Sequence, residues 1–387
     1  MAERKRIALI FSYNENWIGG TYYILNLVHA LNILPDEQKP EIMLCTHTKK
    51  EFEYFAGETK YPYLRLFEMN NKRIQLSFME RLINKIVGQL FKKQLYSRRI
   101  RNNQLQDEFD MVFPNPDGSF FELIDRKKKI YWIPDFQEDY LPEYFSREEI
   151  VFRKQNQIAI ALLADKLIFS SHDAQNDFNR LYPFATCKQY ILPFAVTLPD
   201  YTYIDIRKLK QKFNIKVDYF YAPNQFWAHK NHKIIIEAVE CLKNRGIEIT
   251  VIFSGKEHDY RNLNYVDELK KIIQEKSIEK NIIFLGFIDR KEQLCLMKNA
   301  IAIIQPSRFE GWSTVIEDAK AMNQFVIASN LKVHQEQLKQ NVFFFNPEDK
   351  NSLINMILKI LNENIETCDN NYMEAVKRFA EDFIDII

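Results

Sequence analysis

Short runs of β-branched and aromatic residues alternate with helical patterns along almost the whole chain. This alternation is typical of parallel α/β units, because a helix must carry the chain back between two parallel strands. The predicted strands form two series: RIALIFS, EIMLCT, MVFPN, KIYWIP and KLIFSS, and then DYFYAPN, ITVIFSG, NIIFLG, AIAIIQPS and QFVIAS. The pattern therefore predicts an α/β fold built from two parallel sheets.

The chain has 387 residues, which favours two domains at roughly 100 to 200 residues each. The segment ILPFAVTLPDYTYID separates the two series, lacks periodicity and predicts an interdomain linker near residues 193–205. We expect two doubly wound, Rossmann-like domains, residues 1–197 and residues 198–370. A last amphipathic helix, 371–387, is in a position to cross back to the first domain. The carboxyl ends of the strands would face each other across a cleft, where open parallel sheets bind ligands.

Composition argues against several functional classes. The chain carries 53 basic and 52 acidic side chains, so its net charge does not suggest a nucleic-acid partner. Its five cysteines are scattered without a CxxC spacing, which predicts neither a disulfide framework nor a zinc site. The apolar run near the start is too short for a signal peptide, and no run is long enough for a transmembrane helix. We therefore expect a cytoplasmic protein.

The stretch PSRFEGWSTVIEDAKAM, residues 306–322, places three carboxylates around a Gly-Trp-Ser-Thr turn: Glu310, Glu317 and Asp318. An apolar strand precedes this turn and a helix follows it, so the turn lies at the carboxyl edge of a sheet. Thr314 and Glu317 match the S/T-x-x-E capping box, in which the two side chains satisfy amides of the first helical turn. Capping is thus one interpretation of Glu317.

The same turn also has the chemistry of a phosphate site. The N-terminus of a helix presents unpaired amides and a positive dipole end. Gly311 allows the backbone to approach a ligand, and Ser313 and Thr314 add hydroxyl donors. Flanking carboxylates would repel a phosphate, but they suit the neutral hydroxyls of a sugar or a ribose, since a carboxylate accepts two hydrogen bonds.

This stretch resembles the signature of retaining, nucleotide-sugar-dependent glycosyltransferases of the GT-B fold, family 4 (glycosyl transferases group 1). Their pattern is roughly P-S-x-x-E-G-F-G-x-P-x-x-E-A-x-A. An ungapped comparison puts Glu310 at the first acid, which holds the donor sugar, and Asp318 at the second, which holds the ribose. The resemblance implies that the backbone between them, from Gly311 through Trp312 to Thr314, binds the diphosphate. Glu317 stays an alternative for the ribose.

Further segments of the second half support the resemblance. YAPNQFWAHKNHKIIIEA resembles the family's G-R-x-x-x-x-K-G segment, in which Arg and Lys bind the diphosphate. Lys230 matches the Lys, while Gln225 stands for the Arg and Asn231 for the Gly. VIFSGKEHD and NIIFLGFIDRKEQL resemble the loops that place Gly255 near the donor and the backbone of Ile288 near the base.

In the first half, Gly19 and Gly20 lie between the first strand and an apolar helix, like the family's glycine loop beneath the donor phosphates. The loop is not GxGxxG, so a nicotinamide dehydrogenase is not predicted. KIYWIPDFQEDYLPEYFS resembles a segment that reads T-x-H-D in many relatives. Asp135 matches the Asp, and Pro134 replaces the His that contacts the donor sugar.

The resemblance implies transfer of a hexose-type sugar from a nucleotide diphosphate to a glycan or lipid-linked acceptor, with retention of configuration. It also implies that residues 1–197 form the acceptor side and that residues 198–370 bind the nucleotide sugar. The implied role is in surface polysaccharide or glycoconjugate synthesis, with mannosyl or rhamnosyl transfer as a guess. Catalytic roles are predicted for Glu310, Lys230 and Asp135. No DxD-like acid pair follows a suitable strand, so we expect no metal and no other cofactor. Because Gln225 and Pro134 depart from the pattern, a pseudoenzyme that binds a nucleotide or glycan without turnover stays an alternative.

Residues 81–101 contain seven basic and no acidic side chains, with apolar residues at helical spacing. A basic amphipathic helix can lie on an anionic bilayer, which suits a lipid-linked acceptor and a peripheral position on the inner face of the membrane. The alternative is a helix packed through its apolar stripe.

Overall fold

The computed structural model describes residues 4–14, 18–69, 77–79, 81–83, 85, 108–114, 124–259 and 261–387. Most of the basic segment 81–101 lies outside these residues. Among the described helices, none is both long and apolar enough to cross a membrane.

The N-terminal domain is built on seven described strands. The first four are hydrogen-bonded in the order β3-β2-β1-β4 and the other three in the order β5-β6-β7, with every pair parallel. A parallel bridge between Val112 and Lys129 joins the two sets. The strands are β1 (Arg6–Ile10), β2 (Glu41–Thr46), β3 (Leu64–Glu68), β4 (Met111–Phe113), β5 (Ile130–Ile133), β6 (Lys166–Phe169) and β7 (Lys188–Ile191).

Helices connect these parallel strands, as parallel pairing requires. Two of them begin with capping boxes: Thr48 with Glu51, and Ser146 with Glu149. The helices are α1 (Ile18–Asn32), α2 (Lys49–Thr59), α3 (Gln137–Tyr140), α4 (Arg147–Leu163) and α5 (His172–Leu181).

The C-terminal domain repeats the arrangement with six parallel strands in the order β10-β9-β8-β11-β12-β13. The strands are β8 (Phe220–Ala222), β9 (Val251–Phe253), β10 (Ile282–Phe284), β11 (Ile303–Gln305), β12 (Val326–Ser329) and β13 (Val342–Phe345). The helices are α6 (Ile206–Lys212), α7 (His232–Asn244), α8 (Tyr265–Glu275), α9 (Arg290–Lys298), α10 (Thr314–Ala321), α11 (Lys332–Gln337) and α12 (Lys350–Asn362). The two parallel sheets with helices between their strands form the predicted α/β fold class.

The last helix, α13 (Tyr372–Ile386), packs into the core of the N-terminal domain. The ring of Phe379 lies 5.8 Å from that of Tyr23 in α1, and the ring of Phe383 lies 5.4 Å from that of Phe113 in β4. The chain thus leaves the first domain, builds the second and returns to complete the core of the first.

Each of the ten predicted strand runs contains a strand, whereas β3, β7 and β13 were not predicted. All three lie at a sheet edge. Their residues are mostly half-buried or exposed, while the central strands β8, β9 and β11 are buried throughout. Polar or charged residues interrupt β3 and β7, so these strands lack the hydrophobic runs by which the others are recognised, whereas β13, VFFF, is apolar but only four residues long.

Candidate active site

A cavity of about 1000 Å³ lies between the two domains, at the carboxyl ends of their strands. Both domains contribute to its walls. The predicted site residues that line it are Gly19, Gly20, Asp135, Gln225, Lys230, Gly255, Ile288, Glu310, Gly311, Trp312, Ser313, Thr314 and Asp318. Of the predicted set, only Glu317 is not among the lining residues.

Glu310 and Lys230 form an ion pair in this cleft, with 2.6 Å between the Lys230 Nζ and Glu310 Oε1 atoms. The same oxygen accepts hydrogen bonds from the side chains of Gln305, at 2.8 Å, and Ser307, at 2.7 Å. Burial alone would raise the pKa of Glu310, but Lys230, the nearby His334 and the Ser307 hydroxyl together hold it below its ordinary value. Glu310 is therefore an ionised, fixed hydrogen-bond acceptor at the cleft.

The backbone conformation of Asn231 positions Lys230. Lys230 ends a short 3₁₀ turn, Ala228–Lys230, and Asn231 follows with φ of 57°. Glycine adopts this left-handed conformation readily and Asn tolerates it better than most residues, which accounts for Asn at a position where the family pattern has Gly. The Asn231 amide also donates to the carbonyls of Pro306, at 3.2 Å, and Pro347, at 3.0 Å, so it joins the Lys230 turn to the loop that leads to Glu310.

Asp318 is fully buried and forms an ion pair with Arg290, at 2.5 Å between the Asp318 Oδ1 and Arg290 Nη2 atoms. Within the described part of the chain, its other oxygen, Oδ2, has no hydrogen-bond partner. Burial raises the pKa of Asp318, and Arg290 opposes that rise. The Arg290 guanidinium also lies 5.5 Å from the ring centre of Tyr22 in the N-terminal domain. The pair thus leaves one buried acceptor oxygen without a partner, among the described residues, behind the wall of the cleft.

The predicted capping box at Thr314 and Glu317 is wrong. Helix α10 is capped by Ser313, whose hydroxyl accepts from the Ile316 amide at 3.4 Å, so Thr314 is already the first helical residue. The Glu317 carboxylate instead accepts from Lys320 and Gln337, at 2.8 Å each, and from the Tyr372 hydroxyl at 2.5 Å. Glu317 is 1% exposed and turned toward α11 and α13.

Tight packing holds the turn before α10 between the two domains. A Cβ atom on Gly311 would lie 2.7 Å from the Pro134 carbonyl oxygen and 2.9 Å from the Asp135 Cβ, so no side chain fits there. The Ser313 amide donates to the Gln337 side chain at 3.2 Å, and that side chain donates back to the Ser313 carbonyl at 2.8 Å. Among the described contacts, the amides of Thr314 and Val315 donate to no protein acceptor, which leaves them for an anion.

Asp135 lies on the N-terminal side of the cleft, directly after β5. Its carboxylate accepts from the Gln137 amide at 3.1 Å. Burial raises the pKa of Asp135, while the Gln137 amide and Arg153 oppose the rise. Asp135 therefore stands beside Gly311 in an environment that disfavours its charge.

Gly255 is required by the packing of the loop after β9. Its φ is 146°, and a Cβ atom would lie 2.2 Å from the carbonyl oxygen of Asn224. This close approach brings the β9 loop against the segment that carries Gln225. Structural packing therefore explains Gly255 without a ligand.

Sequence reasoning missed three arginines that line the cleft: Arg153, Arg261 and Arg290. Arg261 pairs with Asp259 at 3.3 Å, and its guanidinium lies 4.8 Å from the Trp227 ring centre. Nothing in the surrounding sequence marks Arg261. Arg290, however, closely follows a strand that ends at the cleft. A basic residue at that position could have been predicted to line the site.

Known proteins resemble this chain in sequence and in structure. Residues 205–378 match the family described as glycosyl transferases group 1. The chain is 26% identical over 168 residues to the O-antigen chain mannosyltransferase RfbU of Salmonella typhimurium, covering 43% of this chain and 44% of the relative. It is also 26% identical over 139 residues to the capsular polysaccharide biosynthesis glycosyltransferase CapH of Staphylococcus aureus, covering 35% and 37%. The chain thus spans less than half the length of these curated relatives.

The structural similarity extends over both domains. The crystal structure of HepE from Anabaena in complex with UDP and glucose aligns with a TM-score of 0.65 at 17% identity, covering 99% of this chain and 95% of HepE. Such low identity establishes the fold alone. The chain therefore has the GT-B fold, and its residues 205–378 match the glycosyl transferases group 1 family.

Proposed function

We propose that the protein is a retaining glycosyltransferase that moves a hexose-type sugar from a nucleotide diphosphate to an acceptor hydroxyl. The observation that carries this proposal is the pairing of Lys230 with the ionised Glu310 in the interdomain cleft, next to the free amides of α10. A cation and helix amides suit a diphosphate, and a fixed carboxylate suits the hydroxyls of the sugar.

Each group has a defined role in this proposal. Glu310 accepts hydrogen bonds from the donor sugar, and the amides of Thr314 and Val315, with Lys230, bind the diphosphate. The Asp318 carboxylate accepts a ribose hydroxyl through its Oδ2 atom, which has no partner among the described residues but is buried, so the ligand must uncover it. Gln225 brings no charge, but the guanidinium groups of Arg261 and Arg290, which are paired with Asp259 and Asp318, line the same cleft as further hydrogen-bond donors.

The proposed mechanism is a front-face transfer in which the leaving phosphate accepts the proton of the acceptor hydroxyl. The protein then contributes by positioning the two substrates and by stabilising the charge on the leaving diphosphate. We propose that no metal ion takes part, since Lys230 and the helix amides neutralise the diphosphate. Full loss of transfer in the presence of a chelator would contradict this part of the proposal.

The proposed acceptor is a glycan or a lipid-linked glycan of a surface polysaccharide. The names of RfbU and CapH, an O-antigen mannosyltransferase and a capsular glycosyltransferase, support this class, and the name of RfbU favours mannosyl transfer, with rhamnosyl transfer as the alternative. A cytoplasmic position, with peripheral contact to an anionic membrane through residues 81–101, belongs to the same proposal. Flotation with liposomes of increasing anionic lipid content tests the membrane contact.

One observation favours the second candidate, a protein that binds a nucleotide or glycan without turnover. Lys230 is already engaged by Glu310, so a donor diphosphate must compete for this lysine. Together with the uncharged Gln225, this pairing lowers the positive charge available to a leaving group.

The deciding experiment incubates the full chain with UDP, GDP, ADP and dTDP sugars and measures release of each nucleoside diphosphate. We expect slow hydrolysis of one donor and its acceleration by a suitable acceptor. The anomeric configuration of the product, read by nuclear magnetic resonance, tests retention. Calorimetric binding of a nucleoside diphosphate with no hydrolysis of any donor would support the second candidate.

A further inference from the structure

The interdomain linker is hydrogen-bonded to three separate elements within four residues. The Phe194 carbonyl accepts from the Trp312 indole N–H at 3.1 Å, and the Val196 amide donates to the Tyr372 hydroxyl at 2.9 Å. The Thr197 amide donates to the Asn26 side chain of α1 at 2.9 Å. The linker therefore touches the α10 turn, α13 and α1 together.

Trp312 connects the cleft to the linker directly. It lies in the turn before α10 and lines the cleft, yet its indole N–H points to the linker carbonyl. The family pattern has Phe at this position, and Phe has no donor with which to make this bond. The Lys320 ammonium lies 5.9 Å from the centre of the Trp312 ring and further orders the side chain.

Tyr372 makes a second connection from the other side of α10. Its hydroxyl donates to the Glu317 carboxylate at 2.5 Å and accepts from the Val196 amide, so both of its hydrogen-bonding functions are used. Tyr372 is 9% exposed and Glu317 is 1% exposed, which shields these bonds from water. Glu317 belongs to α10, so the hydroxyl joins α10 to the linker through one atom.

We propose that Trp312 and Tyr372 are positioning residues that tether the phosphate-facing turn of α10 to the interdomain linker. The linker is also bonded to α1, whose N-terminal end carries Gly19 and Gly20 on the opposite wall of the cleft. The two tethers therefore fix the distance between the walls that bind the donor. The consequence for turnover rests on the proposed function, whereas the tether itself does not.

Two substitutions test the tether. One removes a single oxygen atom, and the other replaces one large aromatic ring by another. Tyr372→Phe removes only the hydroxyl, and Tyr372 does not line the cleft. Trp312→Phe removes the indole N–H and keeps a large ring. Tyr219→Phe is the matched control, because the buried Tyr219 hydroxyl donates to the Leu296 carbonyl at 2.9 Å, inside the C-terminal domain and outside the linker.

Small-angle X-ray scattering of the full chain without nucleotide is the first readout. We expect the radius of gyration to rise in Tyr372→Phe and Trp312→Phe and to stay at the wild-type value in Tyr219→Phe. Transfer kinetics are the second readout. The tether variants should lose about fivefold to tenfold in kcat, the size of one lost hydrogen bond, while the donor KM stays within about twofold.

The two readouts separate the tether from the proposed function. A wild-type chain that transfers no sugar would refute the proposed function, while a raised radius of gyration in both variants would still support the tether. Wild-type values of the radius of gyration and, where transfer is measured, of kcat in both variants would overturn the tether. Equal losses in Tyr219→Phe would also overturn it, because they would reflect general destabilisation.

Discussion

At the scale of the residue, Glu310 has three donors on a single carboxylate oxygen and so cannot turn away from the cleft. Its position could be predicted from the sequence, since it follows a buried strand at the edge where parallel sheets bind ligands. Its partners Gln305 and Ser307 are close in sequence, but Lys230 comes from another loop. The ion pair emerges only once the fold brings these loops together.

Glu310→Gln should lower sugar transfer by about 100-fold or more, because the amide brings an N–H group to a site built for accepting hydrogen bonds. Binding of the nucleoside diphosphate, measured by calorimetry, should fall only modestly. Glu348→Gln is the control, since Glu348 is an exposed acid that pairs with Arg308. Undiminished turnover in Glu310→Gln would refute the assignment of the site.

Asp135→Asn should raise the melting temperature at pH 7. The folded-state pKa of Asp135 lies above its ordinary value of 3.8, so its charged form destabilises the folded state at neutral pH. Asn keeps an acceptor for the Gln137 amide and removes the charge. The gain should vanish as the pH falls through the folded-state pKa, which calorimetric melts across an acid series will measure. A lower melting temperature at pH 7 would contradict the direction of this shift.

Glu317 and Asp318 show why part of the site was beyond sequence reasoning. The two acids are adjacent, yet one accepts from Tyr372 of α13 and the other pairs with Arg290 at the cleft. Which acid faces which way depends on where α10 begins, and a shift of one residue rotates a helix by about 100°. The helix begins at Thr314 because Ser313 caps it, and either residue is a suitable cap by type.

At the scale of the element, the apolar central strands and the edge strand β10 could be predicted, whereas the edge strands β3, β7 and β13 could not. The segment VFFF of β13 follows a turn and stands alone against β12, so nothing in its short run distinguishes it from a loop packed on a sheet. The loops between strands were recognisable by their glycines. These glycines are required for different reasons, however, and only the structure shows which reason applies at each position.

Gly255→Ala and Gly57→Ala should have opposite effects on stability. A Cβ atom on Gly255 meets the Asn224 carbonyl oxygen at 2.2 Å with φ of 146°, so we expect a loss of about 2 kcal/mol or more. Gly57 lies inside α2 with nothing within 4 Å of a Cβ atom, so Ala should stabilise that helix by about 0.5 to 1 kcal/mol.

Chemical denaturation of both variants and the wild type measures the two changes in the free energy of unfolding. Each variant serves as the control for the other, since the substitution is the same and only the local geometry differs. A stable Gly255→Ala variant would mean that the β9 loop can move away from Asn224, and it would remove the packing explanation for this glycine.

At the scale of the whole molecule, the C-terminal domain buries three histidines, His229, His232 and His334. Burial lowers the pKa of each of them, that of His232 to about 3. The unfolded chain therefore binds more protons than the folded chain as the pH falls below the ordinary value of 6.5. Stability that is present above this pH is lost as the pH decreases through it.

The melting temperature should consequently fall between pH 7 and pH 5, before most carboxylates titrate. His232 alone should contribute about 2 kcal/mol of this loss, at about 1.4 kcal/mol per pH unit below 6.5. His232→Phe, which preserves the stacking on Phe226, should show a shallower decrease, and His47→Gln at an exposed position should match the wild type. A decrease of equal slope in His232→Phe would show that His232 charges without unfolding the protein.

The return of α13 sets the order in which the molecule can be completed during its synthesis. The last strand of the N-terminal domain ends at Ile191, but the core of that domain also needs α13, which ends at Ile386. At roughly 5 to 20 residues per second, the ribosome adds the intervening chain in about 10 to 40 s. Throughout that interval the groove that receives Phe379 and Phe383 has no cover, so the nascent N-terminal domain exposes an apolar surface that a chaperone can bind until translation delivers the final helix.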